Sequence, residues 1–347
     1  MKNSLRYALL FLGLAALAYF LVTLDWSALR WSVERVNLFF LLGAVSASLF
    51  NIATKAVRWQ RLIRSATSVR ISFMLSVGSV YAGVASSSLV PGKAIDVAKP
   101  LILKRFHRVP LTPSTAAMLV ERALDMLSVA IIFLTALAIR PPAVGPTIHV
   151  LAGVAVALLA FLAAGLTFPH AFLRGVGRAM EALPVPLRLK RRIESVMAGS
   201  GMSLLTWCRH ENLWPLLGLS LVSLGAEVVR FYCVFRSVGL TVAPWGLTIG
   251  YMASILVAVV SLIPGGVGVT ESFQAAFLQL FVIGEAAPGV ERGAVLLDRV
   301  LSYYLVVLIG AAFLLWYQHG VERRGPSPER SDVEGRADDC AVTGLDR

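Results

Sequence analysis

Charged side chains are sparse within the apolar runs of this chain, and the few that occur there fall into a pattern. Glu121, Arg122 and Asp125 lie within five residues, Glu227 and Arg230 are three apart, and Asp298 is followed directly by Arg299. Residues three or four apart share one side of a helix, so Glu121, Arg122 and Asp125 are placed together. An ionisable group at bilayer depth costs about 3 kcal/mol or more unless paired or hydrated. Such residues are therefore either functional or members of salt bridges that lock helices, and for the i,i+3 pair Glu227–Arg230 both readings stand. Lys93, Asp96 and Glu271 lie just beyond two helix breaks, Pro91-Gly92 and Pro264-Gly265-Gly266 with Gly268 following. Arginine pairs bidentately with phosphate oxygens. Arg58, Lys93, Arg122, Arg230 and Arg299 are the expected contacts for an anionic group. Asp96, Glu121, Asp125, Glu227, Glu271 and Asp298 are expected to position those arginines or to carry a coupling proton.

Other chemistry finds little support. Gly265-Gly266-Val267-Gly268 lacks the Lys-Ser/Thr of a phosphate-cradling loop and follows no strand. No HExxH or GxSxG string occurs. His107, His149, His170, His210 and His319 show no ligand spacing, and Cys208, Cys233 and Cys340 are scattered. No metal and no cofactor is expected. A membrane-embedded transferase using Asp96 or Glu271 as base is the enzymatic alternative to a non-enzyme.

The elements that must position these residues follow from composition. The 347 residues are 57% hydrophobic and 15% charged, with mean hydropathy +0.75. That balance indicates an all-α polytopic membrane protein, and unbroken apolar runs exclude a β-barrel. The net charge of +12 fits basic cytoplasmic loops beside anionic lipid, not nucleic acid. Six full spans are predicted, at 5–24 (retained, not a signal peptide), 36–56, 113–139, 146–168, 213–238 and 293–317. Lys55, Arg58, Arg61, Arg64 and Arg70 follow the second span without an acid among them, so the positive-inside rule makes that segment cytoplasmic. Both termini are then cytoplasmic. Two broken segments, 71–108 and 247–283, read as re-entrant hairpins, backbone that lipid tolerates only when protein or water surrounds it; two thin spans are the alternative for the first. Residues 170–212 form a basic cytoplasmic interfacial segment, two short helices broken at Pro184 and Pro186. Residues 1–318 make one integral membrane domain, and 319–347 a disordered tail. Trp59 and Trp245 are expected as interfacial anchors.

The two breaks belong to an internal repeat. Ser88-Leu89-Val90-Pro91-Gly92 recurs as Ser261-Leu262-Ile263-Pro264-Gly265. Val57-Arg58-Trp59 recurs as Val229-Arg230-Phe231, and Leu119-Val120-Glu121-Arg122 as Leu296-Leu297-Asp298-Arg299. The repeat halves run from about 48 to 130 and from about 223 to 310. Three full spans separate the hairpins, and an odd number of crossings inverts the second copy. Inverted repeats with broken helices are an architecture of alternating-access transporters.

The arginine-tryptophan after the second span, the Pro-Gly break with a following acid, Glu-Arg-x-x-x-Asp on the next helix, and Pro-Gly-Gly-Val-Gly-Val-x-Glu together resemble the lysylphosphatidylglycerol synthase transmembrane-region family. The resemblance covers roughly residues 5–318 and lacks the aminoacyl-transferring domain. Ala94-Ile95-Asp96 departs from the family's second Gly and acid, and Ile95 restricts the backbone there. The resemblance implies a bacterial or archaeal inner-membrane protein that moves a lipid between leaflets. The expected substrate has an anionic headgroup, either a phospholipid or a polyprenyl-phosphate-linked glycan. The alternative is a non-transporting partner of a lipid- or glycan-modifying enzyme such as a glycosyltransferase.

Overall fold

In lipid every backbone N–H and C=O must be satisfied within its own segment, so a chain this apolar resolves into helices. The computed structural model describes residues 36–67, 69–87, 98–107, 109–139, 146–167, 210–261, 266–283 and 289–322. These form α1 (Leu38–Thr67), α2 (Phe73–Ser87), α3 (Ala98–His107), α4 (Leu111–Ile139), α5 (Pro146–Thr167) and α6 (His210–Ser237). There follow α7 (Pro244–Val260), α8 (Val269–Leu278), α9 (Val290–Arg299) and α10 (Leu305–Glu322), the last two joined by a π-helical turn at Val300–Tyr304. The all-helical expectation is met, and the only β pairing among the described residues is the isolated bridge Val242–Val282.

Among the described residues, five helices are long and apolar enough to cross a membrane: Leu38–Thr67, Leu111–Ile139, Ile148–Gly165, Leu213–Ser237 and Val290–Tyr317. They correspond to five of the six expected spans; the sixth, 5–24, lies outside the described residues. So do most of the 170–212 segment and most of the tail beyond 319. One boundary needs correcting. The second span does not end at residue 56 but continues as helix to Thr67, so Lys55 and Arg58 sit inside a helix, not in a cytoplasmic loop. Trp59 is likewise no interfacial anchor: it is fully buried, with the Lys99 ammonium 5.1 Å from its ring centre. Trp245 meets Phe281 edge to face.

At the centre, α1 and α6 pack along their lengths. Asn37 N–H donates to Ser237 O, Gly43 faces Cys233, Asn51 bonds Glu227 and Arg58 reaches Ser220. Moving forward on one helix moves backward on the other, so the pair is antiparallel. Around it α2 lies against α10 and α7 against α4. The α2–α10 approach is close: a Cβ on Gly310 would fall 2.2 Å from the Tyr81 carbonyl oxygen.

The helices α2 and α7, at 15 and 17 residues, rise only about 22–26 Å, short of a hydrocarbon core about 30 Å thick. Each is followed by a partner helix that folds back along it. Ala82 and Ala98 pack together with Ile102 in the first. In the second, Phe277 and Leu278 lie over Gly250. The second pair closes at its open end, where Ile283 N–H donates to Thr241 O at 2.8 Å and Ala243 N–H to Phe281 O at 3.3 Å. The chain thus leaves and returns at one end of α6. The break residues Pro91, Gly92, Lys93 and Asp96, and Pro264 and Gly265, lie outside the described residues. Gly266 and Gly268 are described, at φ 64° and 83°, a region in which only glycine is comfortable.

Candidate functional site

Among the described residues, the charged side chains within the apolar helices gather into three groups. In the first, Arg58 of α1 is 1% exposed and donates through Nη2 to Glu121 Oε1 at 2.9 Å. Its Nη1 donates to Asp125 Oδ1 at 2.5 Å and to Ser220 Oγ at 2.6 Å. Glu121 and Asp125 present one face of α4 because they are one turn apart. Lys99 of α3, also buried, reaches Glu121 Oε2 at 2.8 Å, and Arg122 stands 3.9 Å from Asp125 Oδ2.

In the second, Arg230 of α6 grips Asp298 of α9 with Nε at 2.8 Å and Nη2 at 3.4 Å. The Tyr251 hydroxyl of α7 accepts from Arg230 Nη2 at 2.9 Å and donates to Glu227 Oε2 at 3.0 Å. Glu227 Oε1 accepts from Lys55 Nζ at 2.6 Å and from Asn51 Nδ2 at 3.0 Å, and Asn51 Oδ1 accepts from Ser223 at 2.6 Å. Glu227 and Arg230 therefore do not pair with each other as their spacing allowed. Each takes partners from other helices, with Tyr251 between them.

In the third, Glu271 of α8 is fully buried. Its Oε2 accepts the Gly268 N–H at 2.7 Å, satisfying one of the orphan donors that begin a helix. Oε1 accepts from Arg299 Nε at 2.7 Å, with the Tyr304 hydroxyl 3.4 Å away. The Arg299 guanidinium carbon lies 4.7 Å from the Tyr303 ring centre. Both tyrosines lie in the π-helical turn after Arg299, a distortion frequent at functional sites.

A cavity of about 590 Å³ opens between these groups, within the range of small-molecule and cofactor sites. Among the described residues, Lys55, Arg122, Arg230 and Arg299 line it together with Asp125, Glu227 and Asp298. Val45, Leu49, Ile52, Leu301, Val306 and Ile309 supply apolar wall. Five of the expected cations and acids stand differently. Arg58 and Glu121 do not line the cavity and serve to tie α1 to α4, Glu271 sits behind Arg299, and Lys93 and Asp96 fall outside the described residues.

Several lining residues carried no charge pattern to announce them. Tyr251, Ser254, Thr270 and Gln274 all face the cavity, as does Lys55, whose place in a helix the basic run concealed. One signal was available. Asn51 bonds Ser223 and Lys55 bonds Glu227 at a separation of 172 residues in both cases, the same offset as Arg58 from Arg230.

A family model for the lysylphosphatidylglycerol synthase TM region matches residues 7–310. A UPF0104 membrane protein of Pyrococcus horikoshii is 24% identical over 337 residues, spanning 89% of this chain and 96% of its own length. Two UPF0104 membrane proteins of Methanothermobacter thermautotrophicus are similar too. One is 24% identical over 298 residues, covering 83% of this chain and 84% of the relative. The other is 19% identical over 339, covering 91% and 96%.

Proposed function

The chain belongs to the lysylphosphatidylglycerol synthase TM region family, and from that membership we propose that it is a lipid flippase and not an enzyme. Its substrate is a lipid with an anionic, phosphate-bearing headgroup, moved across the inner membrane of the cell, with both termini of the protein in the cytoplasm. The observation that carries this reading is the 590 Å³ cavity with four basic and three acidic side chains on its wall beside aliphatic ones. A headgroup needs the polar part, and an acyl or prenyl tail needs the apolar part. Phosphate oxygens compete with Asp125, Glu227 and Asp298 for the same guanidinium and ammonium donors, so binding is an exchange of partners instead of the capture of a bare charge.

The two halves act as inverted copies. Supporting this, α1 and α6 bear the repeated Val-Arg-aromatic motif, run antiparallel, and place equivalent positions in contact: Asn51 against Ser223, Lys55 against Glu227. A pseudo-two-fold axis between Lys55 and Glu227 gives that arrangement. Lys99–Glu121 in the first half and Glu271–Arg299 in the second tie a hairpin arm to the following helix with the charges exchanged. The hairpins are re-entrant in this reading, supported by the Thr241–Ile283 closure, and alternate exposure of the cavity follows from rocking one half on the other.

Reconstitution into vesicles carrying an acyl-labelled phospholipid tests this, with and without an imposed proton gradient. Faster loss of protection of the inner-leaflet label than in protein-free vesicles is expected, and at least a ten-fold lower rate in Arg299→Ala. No acceleration under either condition, or an unchanged rate in the variant, overturns the reading.

A further inference from the structure

Buried polar atoms are almost always hydrogen-bonded, so those that are not, and that face a cavity, indicate what the cavity takes. Three side-chain oxygens on this cavity's wall have no hydrogen-bond partner among the described residues: Ser48 Oγ of α1, and Thr270 Oγ1 and Gln274 Oε1 of α8. Thr270 and Gln274 are one turn apart on the same helix face, 5% and 1% exposed. The orientation of the Gln274 amide is determined by its neighbour. Ser254 spends its hydroxyl proton on the Tyr251 carbonyl at 2.7 Å, so its oxygen is an acceptor towards Gln274, whose Nε2 donates to it at 2.9 Å. The amide oxygen is thereby left as an acceptor with no donor. An amide oxygen cannot donate, so no phosphate or carboxylate oxygen satisfies it.

We infer that Gln274, with Thr270 and Ser48, forms a subsite that selects headgroups carrying an O–H or N–H donor in addition to their phosphate. This rests on the flippase reading and names the substrate class within it. Glycerol or sugar hydroxyls and a primary ammonium share the required chemistry; a quaternary ammonium does not. The phosphate takes the basic residues, and the donor end of the headgroup takes α8. Leaving a buried acceptor unsatisfied costs free energy equivalent to on the order of ten-fold in binding, which sets the size of the discrimination.

The experiment uses the full chain and acyl-labelled phosphatidylglycerol, phosphatidylethanolamine and phosphatidylcholine. Flipping is followed in vesicles, and binding by native mass spectrometry from an equimolar mixture of the three. Phosphatidylglycerol and phosphatidylethanolamine are expected to exceed phosphatidylcholine on the order of ten-fold in binding. Gln274→Leu, close in volume and without the stranded acceptor, is expected to bring that ratio near one while keeping the protein folded. The two donor-bearing lipids separate hydroxyl from ammonium by their rank. Equal binding of all three lipids by the wild type overturns the inference, as does an unchanged ratio in Gln274→Leu, since a trapped water then satisfies the amide. Selective binding without transport upholds the subsite and overturns the flippase reading instead.

Discussion

Arg58 and Arg122 both approach Asp125, yet they sit in opposite electrostatic situations. Arg58 is enclosed, with two carboxylates and a serine around its guanidinium; the Arg122 side chain is 28% exposed and lines the cavity. Removing one member of a buried ion pair strands its partners, at about 3–5 kcal/mol. Arg58→Met is therefore expected to lower the melting temperature in detergent sharply, with lipid binding lost only as a consequence of unfolding. Arg122→Gln should melt close to the wild type while flipping more slowly. Equal thermal shifts in the two variants would refute this division between frame and cavity. The charged members of the site were legible because charge inside an apolar run has few explanations. Tyr251, Ser254 and Gln274 were not, since a neutral polar residue in a membrane helix is cheap enough to occur without a role. Lys55 was missed for a different reason: a run of five basic residues reads as the end of a span, although the helix carries the first of them into the protein.

At the scale of elements, hydropathy located five of the long helices, because helix is the way an apolar segment satisfies its own backbone in lipid. What it missed was where α1 ends. Its C-terminal half buries Arg58, Trp59, Leu62 and Ile63 against other helices, so burial in protein, not in lipid, continues the helix beyond residue 56. Contacts between elements also left little trace in the sequence. The α2–α10 seam depends on Gly310, whose added Cβ would meet backbone at Tyr81, an obstacle that no rotamer change relieves. Gly310→Val is expected to push the helices apart and to cost about 1–3 kcal/mol as overpacking, read as a lower melting temperature. Gly218→Ala on α6, with nothing within 4 Å of the new carbon, is the control and should leave stability unchanged or slightly improved. Similar losses at both sites would refute the seam as the cause, since helix propensity favours both substitutions over glycine.

The whole molecule turns on the antiparallel pairing of α1 and α6, and this yields its most direct test. Arg70 follows the C-terminal end of α1. Ile283, bonded to Thr241 just past α6, lies at the other end, where Ser237 meets Asn37. A 30-residue helix separates the two points by about 45 Å, more than the hydrocarbon core. Both residues are exposed. In a chain whose native Cys208, Cys233 and Cys340 are replaced by serine, Arg70→Cys should react with a membrane-impermeant thiol reagent from one side only. Ile283→Cys should react only from the opposite side. The loop before the first hairpin and the closure of the second would then face opposite compartments, as copies related by inversion require and copies related by simple translation forbid. In the proposed orientation the basic run Arg61, Arg64 and Arg70 faces the cytoplasm, so Ile283→Cys is the variant expected to label in intact cells. Labelling of both from one side would remove α1 as a crossing helix and the inverted relation with it. The pairing of Lys55 with Glu227 would survive as packing, without an axis through the membrane plane to give it a part in transport.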